Sequence, residues 1–107
     1  MLPYDSSGGV ARYDLELVQQ LVGQGELSCT ITTAARDGAR ECGLDVDELV
    51  EAVLALSTTN FYKSMKAEKL PGMWQDVYHS SFREVELYIK LQISPVGKAV
   101  VVQFKQR

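Results

Sequence analysis

Residues that bind metals or form disulfides are scarce in this sequence, which has two cysteines and one histidine among 107 residues. Cys29 and Cys42 do not form a CxxC pair and no histidine cluster accompanies them, so no zinc site is recognisable. Two reduced, partly buried thiols are the simpler interpretation. We therefore expect a protein that holds no metal ion and no other cofactor.

Apolar segments of the kind found in membrane and secreted proteins are also missing. No apolar run approaches the ~20 residues that a helix needs to cross a bilayer. The N-terminal MLPYDSSGGVARYD lacks the basic start and apolar block of a secretory signal. We therefore expect a cytoplasmic protein without membrane contacts. The length fits one domain over residues 1–107, with the Pro-, Ser- and Gly-rich residues 1–11 flexible.

Positive charge is rare in the first part of the chain and concentrated in the last. Residues 1–60 carry three arginines and no lysine against ten acids, a net charge of −7, and residues 61–107 carry eight Lys and Arg against four acids, a net charge of +4. Because the local field decides where a phosphate backbone binds, the basic part is compatible with nucleic acid despite the overall −3. Two differently solvated surfaces explain the asymmetry equally well.

Helical periodicity occupies the acidic part of the chain. A first helix is predicted from about Tyr13 to Val22, and a second over Thr32–Gly43, whose small inner residues would allow close packing. The clearest helix is Asp45–Leu56, where Asp45 and Glu48 can form a capping box and apolar residues recur at helical spacing. Leu27–Ile31 alternates between apolar and polar residues and is predicted as a short edge strand.

Residues 61–107 have the pattern of an antiparallel meander. Four short alternating runs follow one another, separated by turn-like segments. They are FYKSM at Phe61–Met65, Trp74–Ser80, Val85–Ile93 and Ala99–Gln106. The predicted fold class is therefore α+β, an antiparallel sheet covered on one face by about three helices.

The predicted sheet has one apolar face, because alternate residues of a strand point to opposite sides. In the last two strands the residues with this phase are Val85, Leu87, Ile89, Leu91, Ile93, Val100, Val102 and Phe104. We predict that Leu87, Ile89, Val102 and Phe104 pack against the helix at Asp45–Leu56, whose apolar stripe needs such a partner.

The other face is predicted to be polar, with one prominent residue from each strand: Lys63, Gln75, Tyr88 and Lys105. Lysines bind phosphate as point charges, and a tyrosine can donate a proton or stack on a base. The first strand fits less well, because Lys63 shares its phase with Phe61 and Met65. Either a loop covers these two apolar side chains or they wait for a partner.

Metal-free RNA cleavage is one reaction that such a face can perform, because RNA carries its own nucleophile in the 2′-OH. The protein would only move protons and stabilise charge on the phosphate. Crowding of Lys63 against Lys105 would favour the neutral form of one of them, which could act as a base. From the residues alone, lysines that merely keep a half-exposed sheet soluble are the more economical explanation.

The same segments resemble a known family. FYKSM, WQDVY at Trp74–Tyr78, LYIKLQI at Leu87–Ile93 and QFK at Gln103–Lys105 are similar, in this order, to the motility quorum-sensing regulator toxins, the MqsR family. The similarity extends more weakly into LELVQQLVGQGEL and GLDVDELVEAVLALS, so it covers nearly the whole chain after residue 11. It implies a bacterial type II toxin that cuts mRNA and has a RelE-like toxin nuclease fold.

The resemblance also implies which residues are catalytic. They are Lys63, Gln75, Tyr88 and Lys105, the set that the strand phases had singled out. Further RNA contacts are expected on the same face from His79, Lys90 and Gln103. His79 stands where we expect an arginine in relatives, so it could grip RNA differently or carry protons, although a polar sheet residue is the simpler role.

The resemblance implies two partners, a single-stranded mRNA substrate and a cognate antitoxin. Such antitoxins often have a DNA-binding half, so that the complex represses its own operon. Phe61 and Met65 are candidate antitoxin contacts, although burial under a loop explains them equally well. The alternative function is a non-catalytic RNA-binding or regulatory interaction module of the same fold, which the acidic balance favours slightly and the retention of all four polar residues disfavours.

Overall fold

The computed structural model describes residues 9–107, and its elements follow the order of the sequence patterns. These residues form three α-helices and five strands: α1 Leu15–Gly23, β1 Cys29–Ile31, α2 Thr33–Glu41, α3 Val46–Leu54, β2 Phe61–Lys66, β3 Trp74–Phe82, β4 Val85–Ile93 and β5 Ala99–Gln106. A short 3₁₀ turn, Thr58–Asn60, leads into β2. No helix among the described residues is long and apolar enough to cross a membrane.

Each helix begins at a polar residue whose side chain accepts a hydrogen bond from a backbone N–H of the first turn. Asp14 caps α1, Thr32 caps α2 and Asp45 caps α3. The predicted capping box is present, because the side chain of Glu48 accepts in return from the backbone N–H of Asp45, at 3.0 Å. These caps satisfy N–H groups that have no partner within the helix.

The sheet has the strand order β1-β5-β4-β3-β2. Strands β2 to β5 form the predicted antiparallel meander, and β1 is added at the far edge, parallel to β5. The described helices and strands therefore make the predicted α+β fold, with a sheet that is mostly rather than wholly antiparallel.

The helix that approaches the sheet most closely is α2, which corrects the prediction that α3 covers the strands. α2 lies so close to β5 that a Cβ at Gly38 would overlap the backbone carbonyl oxygen of Phe104. α3 instead packs on α1 and α2, and its Leu49 and Val53 join the core that also contains Leu87. Small residues on α2 permit this approach, as its sequence indicated.

A bulge in β5 overturns the predicted orientation of Val100 and Val102. Lys90 of β4 pairs with Gln103, but the next residue of β4 pairs with Val101, so Val102 is the extra residue. The alternation shifts by one at this point. Val101 is consequently buried in the core, whereas Val100 lies on the other face, and Phe104 keeps its predicted place in the core.

A second irregularity, in β2, resolves the poor fit of the first strand. Phe61 pairs with Tyr78 and Lys63 with Val77, so Tyr62 is the extra residue. Phe61 therefore packs edge-on against Tyr78 on the helix side, with ring centroids 5.7 Å apart. The expectation that Phe61 shares a face with Lys63 is wrong, because the bulge reverses the phase between them.

The segment before α1 is tied to β3. The buried carboxylate of Asp76 accepts hydrogen bonds from the backbone N–H groups of Arg12 and Tyr13, at 2.9–3.0 Å. The guanidinium of Arg12 lies 3.5 Å from the centroid of the Trp74 ring. Most of the segment predicted to be flexible, residues 1–8 of 1–11, lies outside the described residues.

Candidate active site on the open face of the sheet

The candidate site lies on the face of the sheet that is turned away from the helices, called here the open face. Strand pairing arranges its side chains in rows that run across the strands. In the first row, His79 of β3 lies opposite Tyr88 of β4, which lies opposite Lys105 of β5. The ammonium of Lys105 is 4.9 Å from the centroid of the Tyr88 ring, and the His79 ring is 5.9 Å from it.

The second row contains two of the predicted lysines. Lys63 of β2 is paired with Val77, Val77 with Lys90, and Lys90 with Gln103. Because side chains on one face are two residues apart along a strand, this row lies about 7 Å from the first. The Lys90 ammonium is 5.9 Å from the centroid of the Tyr88 ring, so the two rows meet at Tyr88.

A third row holds the predicted glutamine. Gln75 of β3 is paired with Met65 of β2, and its Nε2 donates a 2.8 Å hydrogen bond to Oε1 of Gln92. Gln92 is itself only 5% exposed. A buried partner of this kind holds the Gln75 amide in one orientation on the open face.

The structure thus brings all four predicted catalytic residues to one face but does not gather them into one cluster. Tyr88 and Lys105 are neighbours in the first row, whereas Lys63 and Gln75 lie in the second and third. Lys63 and Lys105 project from the first and fourth strands of the four-stranded meander, β2 and β5, with Lys90 of β4 between them. The expected crowding of Lys63 against Lys105 is therefore wrong, and Lys90 is the lysine on which both act.

Lys90 has an altered protonation equilibrium. Burial lowers the pKa of its ammonium below the ordinary value, and the positive charges of Lys105 and Lys63 lower the pKa further. The carboxylate of Glu68, in the loop between β2 and β3, acts in the opposite direction. The open face therefore concentrates positive charge around a lysine that releases its proton more readily than a free one does.

His79 lies between two tyrosines. Its ring stacks on that of Tyr62, with centroids 4.0 Å apart and planes at 18°. Burial lowers the pKa of His79, and the positive charges of Arg107 and Lys63 contribute in the same direction. The imidazole is therefore neutral over more of the pH range than a free histidine.

The pKa of Tyr88 is shifted in the opposite direction to that of His79. Burial raises the pKa of its hydroxyl above the ordinary value, and the neighbouring Tyr62 adds to the shift. A raised pKa keeps the phenol protonated at neutral pH. Tyr88 is therefore available as a hydrogen-bond or proton donor between two lysines, and its ring is accessible at the centre of the open face.

The loop between β2 and β3 borders the site beside Gln75. Together with that residue, its members Ala67, Glu68, Lys69 and Leu70 line an open cleft of about 240 Å³. At the opposite end of the face, Arg107 donates to the carboxylate of Glu86 at 3.4 Å. Within residues 9–107, no group of three His, Cys, Asp or Glu side chains is placed to share a metal ion.

Sequence reasoning missed three residues of this face. Tyr62 was hidden by the bulge in β2, which no alternating pattern reveals. Gln92 had the correct phase, but nothing in the sequence indicated that it would be buried against Gln75. Arg107 lay beyond the last predicted strand, although its position two residues after Lys105 is the signal that would have placed it on the same face.

A known protein family and a known relative match this chain over most of its length. The sequence model of the family described as "Motility quorum-sensing regulator, toxin of MqsA" matches residues 10–106. The chain is also 32% identical over 93 residues to the mRNA interferase toxin MqsR of Escherichia coli (strain K12). The aligned residues make up 87% of this chain and 91% of that protein.

The chain belongs to the MqsR toxin family.

The matched residues 10–106 include every strand that forms the open face. The open face therefore lies within the part of the chain that matches the MqsR family. The family resemblance inferred from FYKSM and WQDVY is confirmed. Catalytic roles remain predictions for Lys63, Gln75, Tyr88 and Lys105. The geometry adds Lys90 to this set of candidates, because it is a close neighbour of Tyr88.

Proposed function

We propose that the protein is the toxin of a toxin–antitoxin pair, an endoribonuclease that cuts single-stranded mRNA without a metal ion. One observation carries the proposal: Tyr88 lies on the open face directly opposite Lys105, with the ammonium groups of Lys105 and Lys90 4.9 and 5.9 Å from its ring. A phenol that keeps its proton between cations can bind a phosphate and protonate its leaving oxygen.

The reaction is an internal transfer at phosphorus. The 2′-OH gives its proton to a base and attacks the adjacent phosphate, and the bond from phosphorus to the 5′-oxygen breaks. Tyr88 supplies the proton that the departing 5′-oxygen takes up. The products are a 2′,3′-cyclic phosphate and a 5′-hydroxyl, so no external nucleophile or electron donor is needed.

The cations of the open face stabilise the charge that develops on the phosphate oxygens. Lys63 and Lys105 serve as fixed charges on either side of Tyr88, in two neighbouring rows. Gln75 does not titrate, so its role is to position the 2′-OH or the phosphate by hydrogen bonding. Its hydrogen bond to Gln92 supports that role, because a fixed amide loses less freedom on binding.

His79 and Lys90 are the two groups on this face whose pKa is lowered, in both cases chiefly by burial. A base must be unprotonated near the working pH, so either can accept the 2′-OH proton more readily than its free counterpart. Gln103, in the same row as Lys90, extends the RNA contacts across β5.

The partners and the compartment follow from the same proposal. The substrate is single-stranded mRNA, whose translation stops when it is cut, and the compartment is the cytoplasm. The inhibitor is an antitoxin protein of the MqsA kind, because the family is that of the toxin of MqsA. We further propose that this antitoxin carries a DNA-binding half, so that the complex represses its own operon.

Induced expression in a bacterium tests the proposal against the non-catalytic alternative. The protein should arrest growth and degrade mRNA, and Lys63→Ala should do neither. Lys66→Ala is the matched control, because Lys66 is exposed on the same strand but is paired with Trp74 and lies outside the Lys63 row. Growth arrest with intact mRNA, or equal toxicity of Lys63→Ala, would contradict the proposal.

A further inference from the structure

Tyr62 occupies an unusual position for a large aromatic residue. The bulge in β2 turns it onto the open face, where it remains 53% exposed. Its ring is nevertheless ordered by a parallel stack on His79, with centroids 4.0 Å apart. One side of the ring is thus supported by the protein, while much of the residue faces solvent.

The surroundings of Tyr62 match a nucleotide better than a protein side chain. The ammonium of Lys63 lies 5.6 Å from the centroid of the Tyr62 ring, and His79 connects Tyr62 to Tyr88 in the first row. An aromatic surface beside fixed positive charge combines the two elements with which proteins bind single-stranded RNA, base stacking and phosphate attraction. A purely apolar protein contact would not require the neighbouring lysine.

We propose that the Tyr62 ring, supported by His79, is a stacking platform for a nucleobase of the RNA strand, next to a phosphate bound by Lys63. The platform rests on the proposed function, because it presumes that RNA lies on the open face. It adds a residue that positions the substrate and discriminates between bases through their stacking strength.

The support by His79 explains why an exposed tyrosine can contribute to affinity. A free surface ring must be ordered when a base stacks on it, and that cost reduces the gain in binding. The stack on His79 orders the Tyr62 ring beforehand, and a tyrosine has few rotatable bonds to restrict. The bulge is equally necessary, since regular alternation would have turned Tyr62 toward the helices.

Binding of an RNA analogue that cannot be cut tests the platform apart from catalysis. The probes are a short 2′-O-methyl oligoadenylate, whose 2′-oxygen is blocked, and an abasic oligomer of the same length with the same phosphates. We expect Tyr62→Leu to weaken binding of the oligoadenylate by about tenfold, the usual contribution of one stacked base. Tyr62→Phe should bind like the wild type, because the ring and not the hydroxyl is used.

Three readouts separate stacking from other roles. The abasic oligomer should bind equally well to the wild type and to Tyr62→Leu. The slope of log affinity against log salt concentration should be unchanged in Tyr62→Leu but should fall by about one in Lys63→Ala, which loses one phosphate contact. Val96→Ala, which shortens another exposed apolar residue on the β4–β5 turn, should bind like the wild type. Equal binding of the oligoadenylate by Tyr62→Leu and the wild type would overturn the platform.

The same experiment distinguishes failure of the platform from failure of the proposed function. Loss of affinity for both oligomers in Tyr62→Leu would show that Tyr62 supports the fold or the phosphate site, and would overturn stacking alone. A wild type that binds neither oligomer would overturn RNA binding on the open face, and with it the proposed function. In that case Tyr62 would become a candidate contact for the antitoxin.

Discussion

Tyr88 of β4 lies directly opposite Lys105 of β5, and the Lys105 ammonium is 4.9 Å from the centroid of the tyrosine ring. The group proposed to protonate the leaving oxygen and a cation proposed to bind the phosphate therefore project side by side from neighbouring strands. Lys90 approaches the same ring from the next row, at 5.9 Å. This grouping makes Tyr88 the centre of the open face.

Replacing Lys105 with alanine should slow RNA cleavage by about 10²–10³-fold, the usual effect of removing one electrostatic stabiliser. The fold should not suffer, because Lys105 is exposed and forms no ion pair among the described residues. Lys98→Ala is the charge-matched control, since Lys98 precedes the first residue of β5. Single-turnover rates on one RNA measure the effect, and equal losses in the two variants would indicate a non-specific charge effect.

Removing the Gln92 amide should impair catalysis through Gln75. Gln92→Leu leaves Gln75 without its 2.8 Å hydrogen bond, so kcat should fall while KM changes little, and the free energy of unfolding should change only modestly. Gln106→Leu, the same substitution at an exposed site, should have normal kinetics. If Gln92→Leu in a Gln75→Ala background lowers kcat as much as it does alone, Gln92 does not act through Gln75.

The pKa of His79, the single histidine of the sequence, should lie below the ordinary value of 6.5. Burial lowers this pKa, and the positive charges of Arg107 and Lys63 lower it further. The folded protein then binds fewer protons than the unfolded chain between the two values, so the free energy of unfolding falls as the pH falls through that window and is unaffected above it. An NMR titration of the imidazole signals measures the shift. Lys63→Ala should move the pKa back toward 6.5, and a wild-type value at or above 6.5 would contradict the account.

Gly38 should tolerate no side chain. A Cβ at this position would overlap the carbonyl oxygen of Phe104, and backbone on both sides leaves nothing flexible to move. We expect Gly38→Ala to destabilise the protein by about 1–3 kcal/mol or more. Gly23→Ala is the control, because the nearest atom to its Cβ is a leucine methyl at 4.0 Å, and it should be neutral or slightly stabilising. Denaturant unfolding of both variants provides the comparison.

Strand phases were sufficient to predict the open face because β3 and β4 alternate without interruption from Trp74 to Phe82 and from Val85 to Ile93. They failed at Val100 and Phe61, which a bulge separates from the rest of their strands, and at Val102, which is the extra residue of the bulge in β5. A bulge forms where two paired strands accommodate one extra residue in one of them, so its position depends on a partner strand that is distant in sequence. The same limit concealed Tyr62, whose neighbours FYKSM give no sign that the alternation breaks between Phe61 and Lys63.

The closeness of α2 to β5 was partly predictable, because a helix face of small residues permits close packing. The identity of the strand it covers was not predictable, since an apolar stripe such as that of α3 indicates burial without naming its partner. The hydrogen bond between Gln75 and Gln92 was equally hidden. Both glutamines had the correct phase, but pairing across strands depends on register, which phase alone leaves open.

The chemical ends of the RNA products test the central claim most directly. Purified protein should cut single-stranded RNA in the presence of excess EDTA and leave a 2′,3′-cyclic phosphate and a 5′-hydroxyl, identified by mass spectrometry of the fragments. Tyr88→Phe, which keeps the ring but removes the proposed proton donor, should cut far more slowly and yield the same ends. Cleavage abolished by EDTA, or products that end in a 3′-hydroxyl, would contradict 2′-OH attack assisted by Tyr88 and its neighbouring lysines.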